Sequence, residues 1–352
     1  MKKILYFIII LSFSGVCAQN WQAIDNGLSG AVRALLPDTA NNQLIIGGEF
    51  SYVHGSLHRS IAKYDGVAID SMGVFSCNPV FALGSCRGMV YATDCNAMLI
   101  RNQNPHQNLW LPIDSGFSGT ALCYYTKDSI LYVGGGFNSV GQIAGGSLAY
   151  WNGQRFRDIA LPYAYGMVSD ITFFRDTMYV VADFPDSTGG TSSRVLRRTC
   201  SCRGWIDITP VFGSTSSWAS SLEVYKNELY LAGSFSKSDG CIGNSIMKYD
   251  GMLWYDVANG IDQSGSYGQV FKLHVFRDVL FVGGFFQSAN GLPANNIAVW
   301  DSTDWHGLGG TFNQSIMAIN DWNDELYIGG RFTVIDGTQT NYIAKYIGAL
   351  PW

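Results

Sequence analysis

The sequence predicts an all-β fold, a seven-bladed β-propeller built from four-stranded antiparallel blades. Three observations predict it: an apolar tetrad that recurs along the chain, a constant order of strands and turns around each copy, and the composition. The 352 residues include 41 glycines, 14% are aromatic and only 14% are charged. This composition suits densely packed sheets joined by tight turns, and it argues against disorder.

Residues 1–18 have the features of an export signal. Lys2 and Lys3 precede the apolar stretch from Ile4 to Phe13, and Val16-Cys17-Ala18 is a small-residue cleavage site. The apolar stretch is shorter than the roughly 20 residues of a membrane helix. An N-terminal membrane anchor and a lipoprotein modified at Cys17 are the alternatives. No later stretch has the ~18 continuous apolar residues of a membrane span, so we expect a secreted or surface-associated protein.

The recurring tetrad begins at seven positions that are 42 to 51 residues apart, and Phe follows six of the copies two residues on. The copies are LIIGGEF (44–50), MVYATDC (89–95), LYVGGGF (131–137), MYVVADF (178–184), LYLAGSF (229–235), LFVGGFF (280–286) and LYIGGRF (326–332). The second copy is the most degraded. Repeats of this length are typical of propeller blades.

Each tetrad is predicted to be the second strand of a four-stranded unit. An apolar strand such as VFKLHVF precedes it, across a short polar turn. A third strand ends in an aromatic residue and a turn, as in IAKYDG at 61–66, and a short fourth strand follows. These runs are too short and too rich in β-branched and aromatic residues for helices. The Asp-Gly and Asn-Gly turns favour the type I′ hairpin.

The glycine pair of the tetrad predicts a close approach to the backbone, because glycine has no Cβ. We expect the aromatic residues that end the third strands to lie there: Tyr64, Trp151, Tyr249 and Trp300. The phenylalanine two residues on is expected to fill the gap between blades.

The two chain termini supply parts of one unit. Residues 20–27, NWQAIDNG, match a fourth strand, whereas the last unit stops after its third strand. We predict that residues 20–27 pair with residues 342–348, which closes the ring and covers two sheet edges. Residues 19–352 then form a single domain, expected to be monomeric. Its blades lie at approximately 31–73, 78–116, 119–161, 166–212, 218–261, 268–310, and 315–352 plus 20–27.

The unit L-Y-V-G-G-x-F followed by I-A-x-W-D-G-x-x-W resembles a kelch-like propeller repeat. It looks closest to the secreted bacterial version, which is similar to the repeat of fungal cortical polarity-marker proteins and to the central propeller of galactose oxidase. The resemblance covers residues 20–352. It implies the fold rather than an activity, because propellers carry many different activities.

The resemblance to galactose oxidase raises the question of a copper site. In that family the site needs two histidines, tyrosines and a cysteine cross-linked to tyrosine. This chain has five histidines. His54 and His58 share one loop, and this is fewer than the three or four ligands of most metal sites. His106 and His306 are isolated. We predict no metal and no cofactor.

Motifs of enzymes and nucleic-acid binders are absent from the sequence. There is no calcium loop, sialidase box, nucleophile elbow or phosphate loop. The acidic residues are scattered, so no carboxylate pair for glycoside chemistry can be nominated. The net charge of −5 disfavours nucleic acid as a partner. We therefore predict no catalytic residue.

The cysteines suggest one disulfide. Cys95 stands where six other copies have Phe, and Cys77 precedes the strand that is predicted to form a hairpin with it. We predict a disulfide between Cys77 and Cys95, with two buried thiols as the alternative, because exported proteins form such bonds.

Two groups of basic residues are candidates for binding. Lys272 and His274 share one face of the sixth unit's first strand by alternation. They are candidates for lining the central channel and binding an anion, with a hydrogen-bonded structural role as the simpler alternative. Arg194, Arg197, Arg198 and Arg203 mark an irregular edge of the fourth unit. This edge is either a partner surface or, more simply, a solvated outer strand.

The function most consistent with the sequence is that of a secreted or cell-surface propeller without catalytic activity, which binds a protein or glycan partner. The alternative is an extracellular carbohydrate-active enzyme whose site lies at the funnel mouth. Carboxylates clustered at one end of the channel would favour that enzyme.

Overall fold

The computed structural model describes residues 20–53, 56–57, 60–73, 75, 79–93, 99–104, 109–114, 117–141, 143–144, 146–187, 189–199, 204–212, 217–236, 244–263 and 266–350. In these ranges the chain forms β-strands, bridges and turns, and no helix. Accordingly, none of the described segments is a helix long and apolar enough to cross a membrane.

Within these ranges, seven sheets are built on four antiparallel strands in up-and-down order. Sheet 1 has β2 Val32–Asp38, β3 Gln43–Gly48, β6 Ile61–Tyr64 and β7 Ile69–Ser71. Sheet 2 has β8 Leu83–Cys86, β9 Met89–Thr93, β10 Leu99–Asn104 and β11 Leu109–Pro112. Sheet 3 has β12 Phe117–Lys127, β13 Ile130–Val140, β15 Leu148–Trp151 and β16 Phe156–Asp158, and β14 Ile143–Ala144 pairs with β13.

The remaining four sheets follow the same order. Sheet 4 has β17 Met167–Phe174, β18 Thr177–Pro185, β19 Thr191–Arg198 and β20 Trp205–Asp207. Sheet 5 has β21 Trp218–Tyr225, β22 Glu228–Ser234, β23 Ile246–Tyr249 and β24 Trp254–Asp256. Sheet 6 has β27 Gln269–Phe276, β28 Val279–Phe285, β31 Ile297–Trp300 and β32 Trp305–Gly307. Sheet 7 has β33 Ile316–Trp322, β34 Glu325–Gly330, β37 Ile343–Tyr346 and β1 Trp21–Ala23.

Short strands also form in the loops between second and third strands and in the connection from sheet 5 to sheet 6. They are β4 Tyr52–Val53 with β5 Ser56–Leu57, β35 Val334–Ile335 with β36 Thr338–Gln339, and a small sheet of β25 Ile261–Gln263, β26 Ser266–Tyr267, β29 Ser288–Ala289 and β30 Leu292–Pro293.

The fourth strand of sheet 7 comes from the start of the chain. β1 pairs with β37 in antiparallel register, with Trp21 opposite Tyr346 and Ala23 opposite Ala344. The two ends of the chain therefore share one sheet, and the edge of β37 has a partner.

The turns differ from the sequence expectation. Type I′ turns need positive φ at both central residues. The hairpins between first and second strands of sheets 2 to 7 meet this requirement, as at Lys226 (φ 49°) and Asn227 (φ 60°).

 At the predicted Asp-Gly turns, only the glycine has positive φ, as at Gly66 (100°) and Gly251 (107°). The type I′ prediction for the Asp-Gly turns is therefore wrong, because the aspartate before each glycine, Asp65 or Asp250, does not have a positive φ.

The glycine pair also meets different neighbours from those expected. A Cβ at Gly134 would lie 2.5 Å from Val168 Cγ1, and one at Gly283 would lie 2.7 Å from Ile319 Cδ1. Both neighbours are aliphatic residues on the first strand of the next sheet, not aromatic residues at the end of a third strand. Glycine is required here because the next sheet packs directly onto the backbone.

Hydrophobic clusters fill the seams between sheets. One cluster joins Phe50 and Val32 of sheet 1 to Trp322 and Tyr327 of sheet 7, and another joins Phe332 to Phe281 of sheet 6. The phenylalanines that follow the tetrads are all at most 4% exposed: Phe50, Phe137, Phe184, Phe235, Phe286 and Phe332. They fill gaps between sheets, as their spacing predicts.

Polar bonds link the turns of successive sheets at one end of the first strands. Each joins the turn after one first strand to the corresponding turn of the next sheet. They are Arg87 Nε to Ser129 O (3.0 Å), Lys127 Nζ to Asp176 Oδ1 (2.7 Å), Arg175 Nε to Asn227 Oδ1 (3.3 Å), Lys226 to Asp278, Arg277 Nη2 to Asp324 Oδ2 (3.0 Å) and Asn323 Nδ2 to Asn42 Oδ1 (3.0 Å). The last of these bonds joins sheet 7 to sheet 1.

Candidate functional site

A cavity of about 400 Å³ lies where the first strands of the seven sheets meet. It is within the size range of small-molecule and peptide side-chain sites. Its lining comes from each of these strands or the residues just before it: Arg33 to Leu36, Phe81 to Leu83, Leu122 to Tyr124, Ser169, Asp170, Ser220, Ser221, Phe271, Lys272, and Met317 to Asn320.

A repeated β-bulge shapes the wall of this cavity. The register of the first strand shifts by one residue in six sheets, for example between Val168 and Asp170 and between Val270 and Lys272. A bulge places an extra residue on one strand and redirects the side chains beside it. Consecutive residues such as Phe271 and Lys272 therefore both line the cavity. Simple alternation along the sequence does not reveal this arrangement.

Asp170 is the centre of a buried hydrogen-bond network. Its Oδ1 accepts a bond from the Ile171 amide (2.9 Å). Its Oδ2 accepts bonds from the Leu222 amide (2.9 Å) and from Ser221 Oγ (3.2 Å). The Leu273 amide in turn donates to Ser221 Oγ (3.2 Å). One carboxylate thus ties together the first strands of sheets 4, 5 and 6.

Other polar groups of the lining are also engaged. Arg33 Nε donates to Glu49 Oε1 (2.6 Å), and Ser220 Oγ donates to the carbonyl of Val270 (2.7 Å). Asn320 Nδ2 donates to the carbonyl of Leu35 (2.9 Å), and the Tyr124 hydroxyl bonds to that of Thr93. These side chains are held in place by the protein itself.

Lys272 and Ser169 differ from the rest of the lining. Neither the Lys272 ammonium nor the Ser169 hydroxyl has a hydrogen bond or ion pair to the described residues. Lys272 does act electrostatically on two groups, Cys123 and Glu223. Burial nevertheless raises the pKa of the Cys123 thiol well above its ordinary value, so that thiol does not supply a counter-charge. The structure thus leaves a cation in the cavity wall without a direct partner.

Apolar and aromatic side chains surround these polar groups. The ring of Phe271 stacks on Trp218, with centroids 5.6 Å apart and an interplanar angle of 25°. The guanidinium of Arg33 lies 5.7 Å from the centroid of Phe81. Met317 and Leu122 complete the apolar part of the wall. The cavity therefore combines a cation with aromatic surface.

His274 lies on the same strand as Lys272 but outside the cavity lining. Its Nε2 is 2.8 Å from Asp321 Oδ1 on the first strand of sheet 7. The hydrogen bond from His274 lowers the pKa of Asp321. The structure therefore gives His274 a hydrogen-bonded partner across the seam between sheets 6 and 7.

The carboxyl group of Glu223 is expected to make the stability of this region depend on pH. Burial raises the pKa of its carboxyl, and the opposing charges of Lys272 and His274 only partly offset that rise. A carboxyl with a raised folded-state pKa stabilises the fold when protonated, and this stability is lost as the pH rises through that pKa. We expect Glu223→Gln to be more stable than the wild type at pH 7, with a difference that disappears below about pH 4.

Urea unfolding at the two pH values would test this expectation. Glu325→Gln is the matched control: burial raises the pKa of Glu325, but the hydrogen bonds from Lys345 and Tyr327 lower it overall. That variant should lose stability at pH 7 instead. A gain for Glu223→Gln that is equal at both pH values would contradict the assignment.

The three described arginines of the fourth unit have different partners. Arg194 Nη1 is 3.3 Å from Asp207 Oδ2, and Arg198 lies 5.9 Å from the ring centroid of Trp205. Arg197 interacts with Tyr179. Arg203 lies outside the described residues, as do Cys77 and Cys95, His54, His58 and residues 1–18. Among the described cysteines, Cys86 and Cys123 are free thiols.

The described residues contain no group of three or more His, Cys, Asp or Glu side chains arranged to hold a metal ion. Among the described residues that line the cavity, Asp170 is the one carboxylate, and its oxygens accept the hydrogen bonds given above.

Comparisons with known proteins bear on the fold. No protein-family model and no curated protein matches the sequence. Among solved structures, the chain is similar to the computationally designed Ika8 protein (12% identity, 92% of this chain and 98% of that one, TM-score 0.54). It is also similar to YCF48 bound to D1 peptide (10% identity, 95% and 99%, TM-score 0.58). A third similar structure is the WD40 β-propeller domain of Doa1 (9% identity, 94% and 97%, TM-score 0.57). At these identities the likeness concerns the fold alone, and the chain has the fold of a β-propeller.

Proposed function

We propose that the protein is an exported, non-catalytic binding propeller that takes a segment of a partner protein into the mouth of its central cavity. In this proposal the seven sheets are the blades of one closed, kelch-like ring, and the pairing of β1 with β37 supports the closure. The observation that carries the proposal is the cavity itself, in which the side chains of Lys272 and Ser169 have no bond to a described residue and lie beside aromatic surface.

The chemistry of the lining supports binding over glycoside hydrolysis. A glycosidase uses two carboxyl groups on either side of the bond that it breaks. The described lining has only Asp170, whose hydrogen bonds with Ile171, Leu222 and Ser221 leave it a structural role. What the cavity offers instead is a fixed shape with uncommitted donors, which is suited to recognition.

A peptide is the favoured ligand for two reasons. Aromatic residues next to a cation are typical of protein interfaces, where a few buried anchors supply most of the binding energy. One structure with a similar fold is described as bound to a peptide. A glycan is the second candidate, and the same experiment distinguishes the two.

Selection of peptides from a random library on the purified protein would test the function. We expect the selected peptides to lose at least about tenfold in affinity, or 1.4 kcal/mol, when Ser169→Trp fills the cavity. Thr303→Trp, in an exposed turn of sheet 6, is the control and should bind like the wild type. Failure to select any peptide, or equal binding by Ser169→Trp with an unchanged melting temperature, would reject the proposal.

Export is a separate part of the proposal and rests on residues 1–18. The intact mass of the protein recovered outside the cytoplasm is expected to begin at Gln19. A protein that retains Lys2 and Lys3, or one that carries lipid on Cys17, would show that the cleavage assignment is wrong.

A further inference from the structure

We propose that Lys272 anchors a carboxylate of the ligand, and that the apolar group next to this carboxylate occupies the aromatic part of the cavity. The inference rests on the proposed function and adds the chemical class that the site recognises. It follows from the position of the Lys272 ammonium group, which no described residue bonds, next to Phe271, Phe81 and Met317 in one cavity.

The Lys272 ammonium group gives the cavity wall a positive charge. A cation that is partly withdrawn from water is costly unless an anion compensates it. Two acids are already bonded to other groups: Glu49 is bonded to Arg33, and Asp170 accepts three hydrogen bonds. Glu223 accepts a hydrogen bond from the Val224 amide (3.0 Å) and none from Lys272. An incoming anion would therefore provide the missing partner.

The second step concerns the type of anion. The described part of the lining offers the Lys272 ammonium and the Ser169 hydroxyl, whereas Arg33 is already bonded to Glu49. Phosphate usually draws several cations or a set of backbone amides. One ammonium and one hydroxyl suit the smaller charge of a carboxylate, and the rings beside them suit an apolar substituent.

Calorimetry with two simple probes would test this inference. The probes are 3-phenylpropionate and its amide, which share an apolar body and differ in charge. We expect the acid to bind and the amide to bind at least about tenfold more weakly. Lys272→Met should reduce the affinity for the acid at least about tenfold without affecting the amide, because only the charged contact is removed.

Two further variants control for folding and for net charge. Lys63→Met makes the same change of charge on β6, outside the cavity lining, and should bind the acid like the wild type. Lys272→Arg keeps the charge and should keep the preference for the acid. Equal binding of acid and amide by the wild type, no binding of either probe, or unchanged binding by Lys272→Met would overturn the inference.

Peptides distinguish the possible sources of the carboxylate. A peptide ending in Phe is measured with a free and with an amidated C-terminus, and an amidated peptide with an internal Glu-Phe pair is measured beside it. Binding of the free acid alone indicates a chain terminus, and binding of the Glu-Phe peptide indicates a side chain. Selected peptides that need the open cavity but no carboxylate would leave the proposed function standing and reject this inference. If 3-phenylpropionate bound through Lys272 and no peptide bound, this inference would stand and the proposed function would be rejected.

Discussion

Trp21→Ala is expected to destabilise the protein by about 3–5 kcal/mol, the range for removing a large buried aromatic side chain. Trp21 is 0% exposed although it lies on the first strand of the described chain. Its ring makes edge contacts with Phe312 and Tyr346, at centroid distances of 5.4 and 4.9 Å. Its Nε1 donates to the carbonyl of Gly309 (3.0 Å). The variant loses this packing and weakens the hold of β1 on sheet 7.

Equilibrium unfolding in denaturant measures this effect. Tyr165→Ala is the control because Tyr165 is 79% exposed, and surface substitutions usually change stability by no more than about 0.5 kcal/mol. Hydrogen exchange adds a local readout, since the amides of Trp21 to Ala23 should exchange much faster in Trp21→Ala. A loss below about 1 kcal/mol would mean that β1 contributes little to the fold, and the proposed ring closure would then be wrong.

Asp170→Ala is expected to cost about 3–5 kcal/mol, as for other buried charged groups whose partners are left behind. The substitution removes the acceptor for the amides of Ile171 and Leu222 and for the hydroxyl of Ser221. Each of these donors would then be buried without its bond, and hydrogen bonds to charged groups are the strong ones. The loss should lower the melting temperature by roughly 4–7 °C.

Asp176→Ala is the matched control in the same sheet. The side chain of Asp176 is 92% exposed and pairs with Lys127 across the turns. Exposed ion pairs contribute little to stability because water and salt screen them, so the control should stay close to the wild type. Asp170→Asn keeps one acceptor oxygen and should fall between the two. If Asp170→Ala were as stable as Asp176→Ala, the network would not hold sheets 4, 5 and 6 together.

The interpretation of the lining depends on this comparison. Asp170 and Lys272 line the same cavity, yet we assign the first to the framework and the second to the ligand. The difference lies in their bonds: Asp170 has three from the protein, whereas Lys272 has none from the described residues. Loss of Asp170 should therefore lower stability, whereas loss of Lys272 should lower affinity for carboxylates and leave stability nearly unchanged.

Much of the architecture is predictable from the sequence because it depends on local pattern. The tetrads, such as LFVGGFF at 280–286, mark strands buried on both faces, and the short polar turns beside them mark hairpins. The incomplete units at the two termini predict that residues 20–27 complete the last sheet, and β1 does pair with β37. Even the buried phenylalanines after the tetrads follow from their repeated spacing.

Other details could not be predicted from the sequence because they depend on contacts between residues that are distant along the chain. The glycines receive side chains from the next sheet, as Gly134 does from Val168, and no local pattern indicates which neighbour arrives. The bulge at Val270 to Lys272 brings Phe271 and Lys272 to the cavity together, whereas strict alternation paired Lys272 with His274.

The sequence by itself determined that this protein is a β-propeller of repeated four-stranded units, because hydrophobic periodicity and turn chemistry are properties of neighbouring residues. Only the tertiary structure decided where a ligand site lies and which charge in it is free. Lys272, Asp170 and Glu223 come from three repeats that are about 50 residues apart, and their relations arise only when the first strands meet. The packing of these strands determines whether a polar group is hydrogen-bonded within the protein or available to a ligand.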